Sequence, residues 1–407
     1  MMSMNVCTYE PDSPHMIEML PRVVNLVVYY MALHYYQPMF TLIGGGFKKL
    51  EQASREMGSV LPKGVHWIRD SAVKFDPDNK RVHTGSGDQI SYEYMVIAMG
   101  VALNFHLVPG LVEALEKDPM VCSNYSPKYV SKTSKAIHAF KEGNAIFTFP
   151  NTPVKCAGAP QKIAYLTDWH FRREGKRERA VVMYNTSLPV IFGVKKYAAS
   201  LMDVVKEKGI QLNVRRNLVE VRSDKKEAVF ENLDNPSEKI TYQYEMLHAT
   251  PPMSTPEVLR TCEKLVDQGG FLDINRNTLQ HKKYPNIFGV GDCTNLPTAK
   301  TVAAISEQLR VLKKNLFLQM EGKALKPLYD GYSSCPLLVG FDKCILAEFD
   351  FDGEPLETFP FNQGKPMRFP FHLKRDFMPH LYWLALLTGY WDGPGRYRKL
   401  MHLGMGR

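Results

Sequence analysis

The chain has 407 residues, of which 44% are hydrophobic and 23% charged, so it is long enough for two or three domains and has the composition of a globular protein. Its formal charge of +9 is unevenly distributed, because residues 365–407 contain eight basic and two acidic residues, a composition that suits an anionic membrane surface. The sequence has no helix-turn-helix, zinc-finger or RNA-binding signature, so we expect no nucleic acid partner. The seven cysteines are scattered without a CxxC pair, which argues against a disulfide framework and against a metal site.

The first 33 residues contain no recognisable motif. An apolar run from Val23 to Leu33 fits a strand, a short helix or unstructured sequence equally well. The acidic residues Glu10, Asp12 and Glu18 do not fit a cleavable signal or transit peptide. No apolar run in the chain reaches the roughly 18 to 20 residues that span a bilayer. We therefore expect a soluble or peripheral protein.

Three consecutive glycines, Gly44 to Gly46, resemble a dinucleotide-binding turn but fail its spacing. The third glycine position is Lys49, and no alternating strand and helix unit surrounds it. We predict a turn or a site of close packing instead. Residues 65–102 then alternate apolar and polar side chains around turns and predict a meander of strands. An amphipathic helix is predicted over residues 128–141.

The middle of the chain alternates strand and helix patterns. The predicted elements are a strand at 145–149, a helix at 161–173, a strand at 179–186, a helix at 195–208 and a strand or hairpin at 210–222. This order predicts a parallel, doubly wound sheet. Its first turn contains prolines and a cysteine where a phosphate-binding turn has glycines, so we do not expect nicotinamide to bind there.

Cys156 lies in that first turn, at the end of a strand where α/β proteins place their chemistry. Lys155 and Lys162 are close in sequence, and nearby positive charge lowers the pKa of a thiol and favours the reactive thiolate. From the loop alone, a small buried cysteine is an equally good interpretation.

A second motif, YPNIFGVGDCTNLPTAKT, covers residues 284–301 and predicts a strand followed by a turn and a helix. Gly291 permits close approach of a ligand, and the Asp292 carboxylate suits a hydrogen bond from a sugar-alcohol hydroxyl. The N-terminus of the helix after Lys300 favours anionic groups. A plain turn is an equally good interpretation.

The last part of the chain begins with DGYSSC, which ends at Cys335. We predict a hairpin over residues 344–361 with its turn at the Asp-Gly pair 352–353. The aromatic, apolar residues Leu381 to Trp391 and the basic residues around them predict a helix in a membrane interface. A buried helix or a dimer contact explains the same composition nearly as well.

Three segments in order, FPNTPVKCAGAPQK, YPNIFGVGDCTNLPTAKT and DGYSSCPLL, together with VIAMG and the basic aromatic tail, resemble the mitochondrial-type sulfide:quinone oxidoreductases of the flavin disulfide-reductase superfamily. The resemblance extends from about His34 to the C-terminus. It implies an α/β protein with two Rossmann-like (FAD/NAD(P)-binding-type) domains, the first incomplete, and a C-terminal amphipathic membrane-associating region. The implied division is an atypical segment 1–33, an incomplete FAD-binding-type domain 34–142 and 270–330, a second Rossmann-like domain 143–269, and a redox-cysteine and membrane or quinone region 331–407.

The resemblance implies an enzyme that oxidises hydrogen sulfide, reduces ubiquinone and passes sulfane sulfur to an acceptor such as sulfite or glutathione, on the mitochondrial inner membrane surface. Cys156 and Cys335 would form a redox-active sulfur bridge, with the persulfide on Cys156 and the flavin-facing thiolate on Cys335. Lys162 would supply local positive charge. The implied FAD site consists of Gln37, Gly291, Asp292 and Lys300, with the backbone of Ala72 and Val73 at the adenine.

One part of the family pattern is not found in the sequence. Before residue 34 there is no strand followed by a GxGxxG turn and a helix, and the first glycine of the chain is Gly44. Without that turn the FAD pyrophosphate has neither a helix N-terminus nor a close backbone, so we predict that this chain binds FAD weakly or not at all.

Two alternatives stay open on the sequence. A type-II NADH:quinone dehydrogenase shares the flavin fold and the membrane tail, but it needs a glycine-rich nucleotide turn that residues 150–160 do not provide. The other alternative, from a different class, is a catalytically impaired variant that acts only as a binding protein.

Overall fold

The computed structural model describes the backbone of residues 4–9 and 23–404 and the side chains of residues 26–404. Within these ranges, no helix combines the length and the apolar character needed to cross a membrane.

The described part of the chain forms twenty-two strands and eleven α-helices. The strands are β1 (Met4–Tyr9), β2 (Val23–Val28), β3 (Leu33–Tyr35), β4 (Ser54–Glu56), β5 (His66–Ile68), β6 (Ala72–Asp76), β7 (Arg81–Thr84), β8 (Gln89–Ser91), β9 (Tyr94–Ile97), β10 (Ala102–Leu103), β11 (Val121–Cys122), β12 (Gly143–Phe149), β13 (Ala180–Thr186), β14 (Gln211–Asn213), β15 (Arg216–Arg222), β16 (Glu227–Asn232), β17 (Asn235–Gln243), β18 (Met246–His248), β19 (Met253–Ser254), β20 (Ile287–Gly289), β21 (Ser333–Leu338) and β22 (Cys344–Phe349). The helices are α1 (Phe40–Gly44), α2 (Met57–Val60), α3 (Leu111–Lys117), α4 (Val130–Ala139), α5 (Ala159–Arg173), α6 (Lys195–Lys208), α7 (Glu257–Arg260), α8 (Val302–Met320), α9 (Arg368–His372), α10 (Met378–Leu381) and α11 (Gly395–Met401).

The predicted doubly wound sheet is confirmed. Its strands follow the order β11-β18-β12-β13-β14, and every neighbouring pair is parallel. Helices α5 and α6 connect β12 to β13 and β13 to β14. The last five residues of β12 are buried, which explains its continuous apolar pattern. Gly209 ends α6 in the left-handed conformation, with φ 61°.

The sheet of the other α/β unit is mixed. Its order is β20-β9-β1-β2-β5, in which β9 pairs with β20 and β2 with β5 in parallel. The central strand β1 runs antiparallel to both of its neighbours. An uninterrupted doubly wound sheet has a parallel strand at this place. The first Rossmann-like unit is thus incomplete as predicted, with an antiparallel strand at its centre.

The two largest hydrophobic cores among the described residues support these sheets. One draws on side chains from two distant segments, between Val28 and Ala98 and between Leu259 and Tyr329, and it lies on the mixed sheet. The other joins the parallel sheet to β21, β22 and the C-terminal helices. The domain boundaries predicted at residues 33, 142, 269 and 330 stay a prediction.

The three glycines at the end of α1 allow close packing, as predicted. A Cβ atom on Gly44 would lie 2.2 Å from the side-chain oxygen of Asn124, and one on Gly45 would lie 2.8 Å from Leu166. Gly46 has φ 81°, which disfavours any other residue there. Larger side chains would push α1 away from its neighbours.

The hairpin predicted over residues 344–361 forms only around its turn. Strand β22 pairs along its whole length with the preceding strand β21. The residues after the turn reach the end of β22 through an isolated bridge from Phe349 to Pro355 and through a hydrogen bond from the Leu356 N–H to the Glu348 carbonyl. The Asp-Gly turn forms, with Asp350 accepting backbone hydrogen bonds from Asp352 and Glu354. The reason is that β21 is buried at five of its six positions and offers a longer buried partner than the residues after the turn.

The C-terminal helical stretch begins earlier than predicted. It runs from Arg368 to Leu386 and alternates α9 and α10 with π-helical turns at Leu373–Phe377 and Tyr382–Leu386. The predicted interface helix from Leu381 is the last part of this stretch.

Candidate active site

Cys156 lies in the loop between β12 and α5, in a constrained backbone conformation. Its φ of 51° is in the left-handed region that non-glycine residues seldom adopt. Its N–H donates to the Lys300 carbonyl at 2.9 Å, and its carbonyl accepts from the Tyr125 hydroxyl at 3.1 Å and the Ala159 N–H at 2.9 Å. These three bonds hold the conformation and fix the position of the thiol.

Cys335 reaches the same place from β21 and is 3% exposed. Gly158 makes this approach possible, because a Cβ atom there would lie 2.7 Å from the Cys335 sulfur and 2.6 Å from Leu337. The Lys162 ammonium, on α5, is 3.3 Å from the Cys156 sulfur and 3.9 Å from the Cys335 sulfur. The three side chains predicted as catalytic are therefore in contact.

The two thiols share one proton unequally. A hydrogen bond from the Cys335 thiol is the largest influence on the pKa of Cys156 and lowers it well below the usual value, against burial and with help from Lys162 and Lys374. The same hydrogen bond, together with burial, raises the pKa of Cys335 well above its usual value. The negative charge of the reduced pair thus belongs on Cys156.

Lys162 is a buried cation, 2% exposed. Burial acts to lower its pKa, but the sulfurs of Cys156 and Cys335 outweigh burial and raise it. The lysine therefore stays charged and compensates the thiolate, as a buried ion pair requires.

Lys374 is a second buried cation near the thiols, and the sequence did not single it out. It is 4% exposed, and its ammonium donates to the Pro38 carbonyl at 3.3 Å. Burial lowers its pKa to about 8 against the attraction of Cys156, Cys344 and Cys335. The sequence groups it with the basic residues of the tail. Lys374 differs from those other basic residues in its position within a π-helical turn, a feature that often occurs at functional sites.

A narrow cleft lies beside the thiol loop and is lined by residues that include Gly291, Asp292, Lys300, Thr301 and Gln308. Gly291 has φ 79°, and its N–H donates to the Gln308 side chain at 2.8 Å. The Lys300 ammonium donates to the Asp292 carbonyl at 2.7 Å, and Thr301 caps α8 through the Ala304 N–H. Gln308 was missed because nothing in its helical pattern distinguishes it from a packing residue.

The side chain of Asp292 points to a missing ligand. Its Oδ1 atom is buried and has no hydrogen-bond partner among the residues that the structure describes. Leaving such an acceptor unpaired costs about 1–3 kcal/mol or more. The cleft therefore suits a ligand that brings a hydroxyl group.

Gln37 lies next to the thiol loop, where its Oε1 accepts from the Lys155 ammonium at 2.7 Å, and Lys155 in turn forms a backbone bridge to Lys300 of the cleft. Burial lowers the pKa of Lys155 to about 8, and the charges of Asp292 and Cys156 oppose this. The segment around Gln37 thereby connects the cleft to the thiol loop.

Ala72 and Val73 lie elsewhere in the first unit. They begin β6, which forms a separate antiparallel sheet with β7 and β8. Ala72 packs against the core of the mixed sheet, whereas Val73 is 53% exposed. No hydrogen bond between the described residues connects either of them to the cleft, so their role at an adenine stays a prediction.

Comparison with known proteins agrees with this geometry. No protein-family model matches the chain. The chain is 52% identical over 372 residues to the mitochondrial sulfide:quinone oxidoreductase of Mus musculus, and the match covers 91% of this chain and 82% of the mouse protein.

Two solved structures share the fold. The sulfide:quinone oxidoreductase of Aquifex aeolicus superposes with a TM-score of 0.75 at 19% identity, over 93% of this chain and 89% of that one. A chain of the Tetrahymena thermophila mitochondrial ATP synthase gives a TM-score of 0.82 at 22% identity, over 92% of this chain and 91% of that one. The identity to the mouse protein over most of both chains shows that this chain belongs to the mitochondrial sulfide:quinone oxidoreductase family.

Proposed function

We propose that this chain is a sulfide:quinone oxidoreductase, a mitochondrial flavin enzyme that oxidises sulfide and reduces quinone. The observation that carries the proposal is the contact of Cys156, Cys335 and Lys162, in which a buried lysine compensates a thiolate and the second thiol keeps its proton. This is the arrangement that thiol–disulfide chemistry needs, because a stabilised thiolate is a good leaving group.

The polar groups that line the cleft suit the ribityl chain of a flavin. Asp292 offers a buried oxygen for a chain hydroxyl, Gly291 leaves room at the backbone, and α8 directs its N-terminus there. We propose FAD as the form bound, held by Gln37, Gly291, Asp292 and Lys300, with its adenine near the backbone of Ala72 and Val73. When bound, the flavin takes up the electron pair from the thiols and supplies it to the quinone.

Sulfide enters the reaction when Cys156 and Cys335 are joined as a disulfide. Hydrosulfide attacks the Cys335 sulfur, a new S–S bond forms, the bond between the cysteines breaks, and its electron pair leaves on Cys156. The thiol with the lower pKa leaves faster, and Lys162 stabilises the departing charge. The products are a Cys335 persulfide and a Cys156 thiolate.

This assignment reverses the one that the family resemblance implies, in which the persulfide is on Cys156. Exposure argues for the earlier assignment, because Cys335 is buried and Cys156 is partly exposed. We give more weight to the position of Lys162, because its ammonium is closer to the Cys156 sulfur, at 3.3 Å, than to the Cys335 sulfur, at 3.9 Å, and so stabilises Cys156 better as the departing thiolate.

The outer sulfur of the persulfide then passes to a nucleophile. An acceptor such as sulfite or the glutathione thiolate bonds to that sulfur, and Cys335 leaves as a thiolate that takes up a proton. The buried ammonium groups of Lys162 and Lys374 favour the approach of anionic acceptors. Loss of an electron pair and one proton from the reduced cysteines re-forms their S–S bond.

The C-terminal helices supply a surface for peripheral binding to the inner membrane. They expose large apolar and aromatic side chains together with basic ones, a composition typical of interfacial helices. The exposed side chains of these helices and of the residues next to them include Phe377, Leu384, Tyr390, Tyr397, Leu400 and Leu403, with Arg396 beside them. We propose that ubiquinone reaches the flavin between these helices from one leaflet.

Two other functions have less support. A type-II NADH:quinone dehydrogenase would need a glycine-rich nucleotide turn after β12, where this chain has Pro150, Pro153 and Cys156. A binding protein without activity is favoured by one observation, the chain of similar fold within the Tetrahymena ATP synthase. The thiol pair and the buried lysine argue against it, since a binding role does not need them.

One experiment distinguishes these three functions. The full chain is supplied with FAD and a short-chain ubiquinone, and quinone reduction is followed with sulfide or with NADH. We expect activity with sulfide only, lost in Cys156→Ser and in Cys335→Ser and kept in Cys262→Ser, a partly exposed cysteine outside this site. Activity with NADH, or a folded and inactive wild type, would contradict the proposal.

A further inference from the structure

A second cluster of polar side chains lies at the opposite end of α5 from the thiols. His170 occupies the last turn of α5, Glu174 follows the helix, and His138 comes from the last turn of α4. Nδ1 of His138 is 2.7 Å from Glu174 Oε1, and Nδ1 of His170 is 3.8 Å from the same oxygen. One ligand atom from each residue lies within 4.8 Å of the other two.

These distances are close to those of a tetrahedral metal site. Zinc binds imidazole nitrogen and carboxylate oxygen at about 2.0–2.2 Å, so two ligand atoms on one tetrahedral ion are roughly 3.4 Å apart. The distance from His138 to Glu174 would have to open slightly and that from His170 would have to close slightly. The ligand atoms now lie within 4.8 Å of one another and the more distant of them would have to approach, and the exposed His138 and the partly exposed Glu174 have room to rotate.

A hydrogen bond at Nε2 already fixes the orientation of the His170 ring. Its Nε2 is 2.8 Å from the Gly45 carbonyl, which only a protonated ring nitrogen can contact favourably. The lone pair of the neutral ring therefore lies on Nδ1, the atom that faces Glu174. A backbone carbonyl behind a histidine is the usual support of a metal-binding imidazole.

Glu174 is held by one oxygen and leaves the other for the cluster. Its Oε2 is 2.6 Å from the Lys176 ammonium, which also donates to the His138 carbonyl at 2.7 Å. The lysine thus ties the ends of α4 and α5 together. Its charge will weaken the binding of a cation, but it does not occupy Oε1. His138 has a side chain 54% exposed, so water can complete the coordination.

We propose that His138, His170 and Glu174 form a binding site for one divalent transition-metal ion of the zinc class. The cysteine spacing gave no indication of it, because the ligands are two histidines and a glutamate from two helices. Residue 170 is about 12 Å along α5 from residue 162, so the ion is outside the thiol site. It would fasten α4 to the helix that carries Lys162.

Zinc binding to the full chain tests the proposal. Because thiolates also bind zinc, the titration uses the Cys156→Ser/Cys335→Ser protein, freed of metal by a chelator and titrated against a chromophoric zinc indicator. We expect one ion per chain, with affinity reduced at least tenfold in His138→Gln and in Glu174→Gln. The control is His372→Gln, since His372 pairs with Asp376 one turn away, at 3.2 Å, and the part of the chain that the structure describes offers no third ligand there. It should bind as the parent does.

Cobalt provides an independent measurement. Bound Co²⁺ should show the visible absorption of a tetrahedral site without a sulfur charge-transfer band, and His138→Gln should abolish it. Unfolding of each variant in the presence of chelator checks that its fold is intact. No stoichiometric zinc binding, or binding equally tight in both ligand variants, would overturn the proposal.

Discussion

Replacing Lys162 by methionine tests the electrostatic basis of the thiol site. The substitution removes the cation nearest to the Cys156 sulfur, 3.3 Å away, and keeps an unbranched side chain of similar length. Two unit charges at that distance interact by about 5 kcal/mol at an effective dielectric constant of about 20, which corresponds to roughly 4 pKa units. The hydrogen bond from Cys335 and the charge of Lys374 remain in the variant. We therefore expect about half of this effect, a pKa of Cys156 raised by ~2 units.

The assay is the rate of alkylation of the reduced protein by iodoacetamide as a function of pH. Only the thiolate reacts, so the rate falls as the pH falls through the pKa of Cys156. Because the pKa of Cys156 is lowered in the wild type, its thiol stays reactive at neutral pH. As the pH is lowered, the variant should lose its reactivity at a higher pH than the wild type does. Burial raises the pKa values of the other buried thiols, Cys122, Cys293 and Cys344, which keeps their background low.

The matched control is Lys206→Met, which removes an exposed lysine from α6. Its alkylation profile should coincide with that of the wild type. The reasoning is refuted if Lys162→Met folds normally and its alkylation midpoint does not move, because the lysine then contributes nothing to the thiolate.

Three further predictions concern the same site. After one equivalent of sulfide reacts with the oxidised protein, mass spectrometry of alkylated peptides should find the added sulfur on Cys335; finding it on Cys156 would restore the assignment that the family resemblance implies. Gly158→Ala should lower sulfide-dependent quinone reduction at least tenfold and destabilise the fold by about 1–3 kcal/mol in urea unfolding, because its Cβ would lie 2.7 Å from the Cys335 sulfur. The control Gly193→Ala has open space around the added Cβ and should change neither the activity nor the stability. Gel-filtered protein should retain less than one flavin per chain, since the sequence contains no GxGxxG turn before residue 34, and Asp292→Ala should retain still less; a stoichiometric flavin spectrum in the wild type would contradict the first expectation.

The parts of the site that come from residues close together in the chain could be predicted from the sequence. The strand before Cys156, the helix after it and the position of Lys162 follow from hydrophobic periodicity and from the prolines and glycines of one loop. The parallel sheet followed from the alternation of strands and helices.

Contacts between distant segments were not accessible in this way. Cys335 joins Cys156 through the pairing of β21 with β22 and the absence of a side chain at Gly158, and the sequence suggested it only through the family resemblance. The hairpin error has the same origin. An Asp-Gly turn is a local signal, whereas the partner of a buried strand is decided by which neighbour covers more apolar surface.

The π-helical turn at Leu373–Phe377 sets the phase of the C-terminal helix. One additional residue in a helical turn rotates all later side chains by roughly 100° relative to a regular α-helix. Lys374 points inward to the thiols, while Phe377 and Leu384 further along remain exposed. Deleting a single residue from this turn would make the helix regular and leave its composition almost unchanged. Lys374 and the exposed apolar side chains of Phe377 and Leu384 would then no longer face the directions that they face now. The register of one helical turn thus couples the chemistry of the thiols to the exposed apolar surface that we propose for membrane binding.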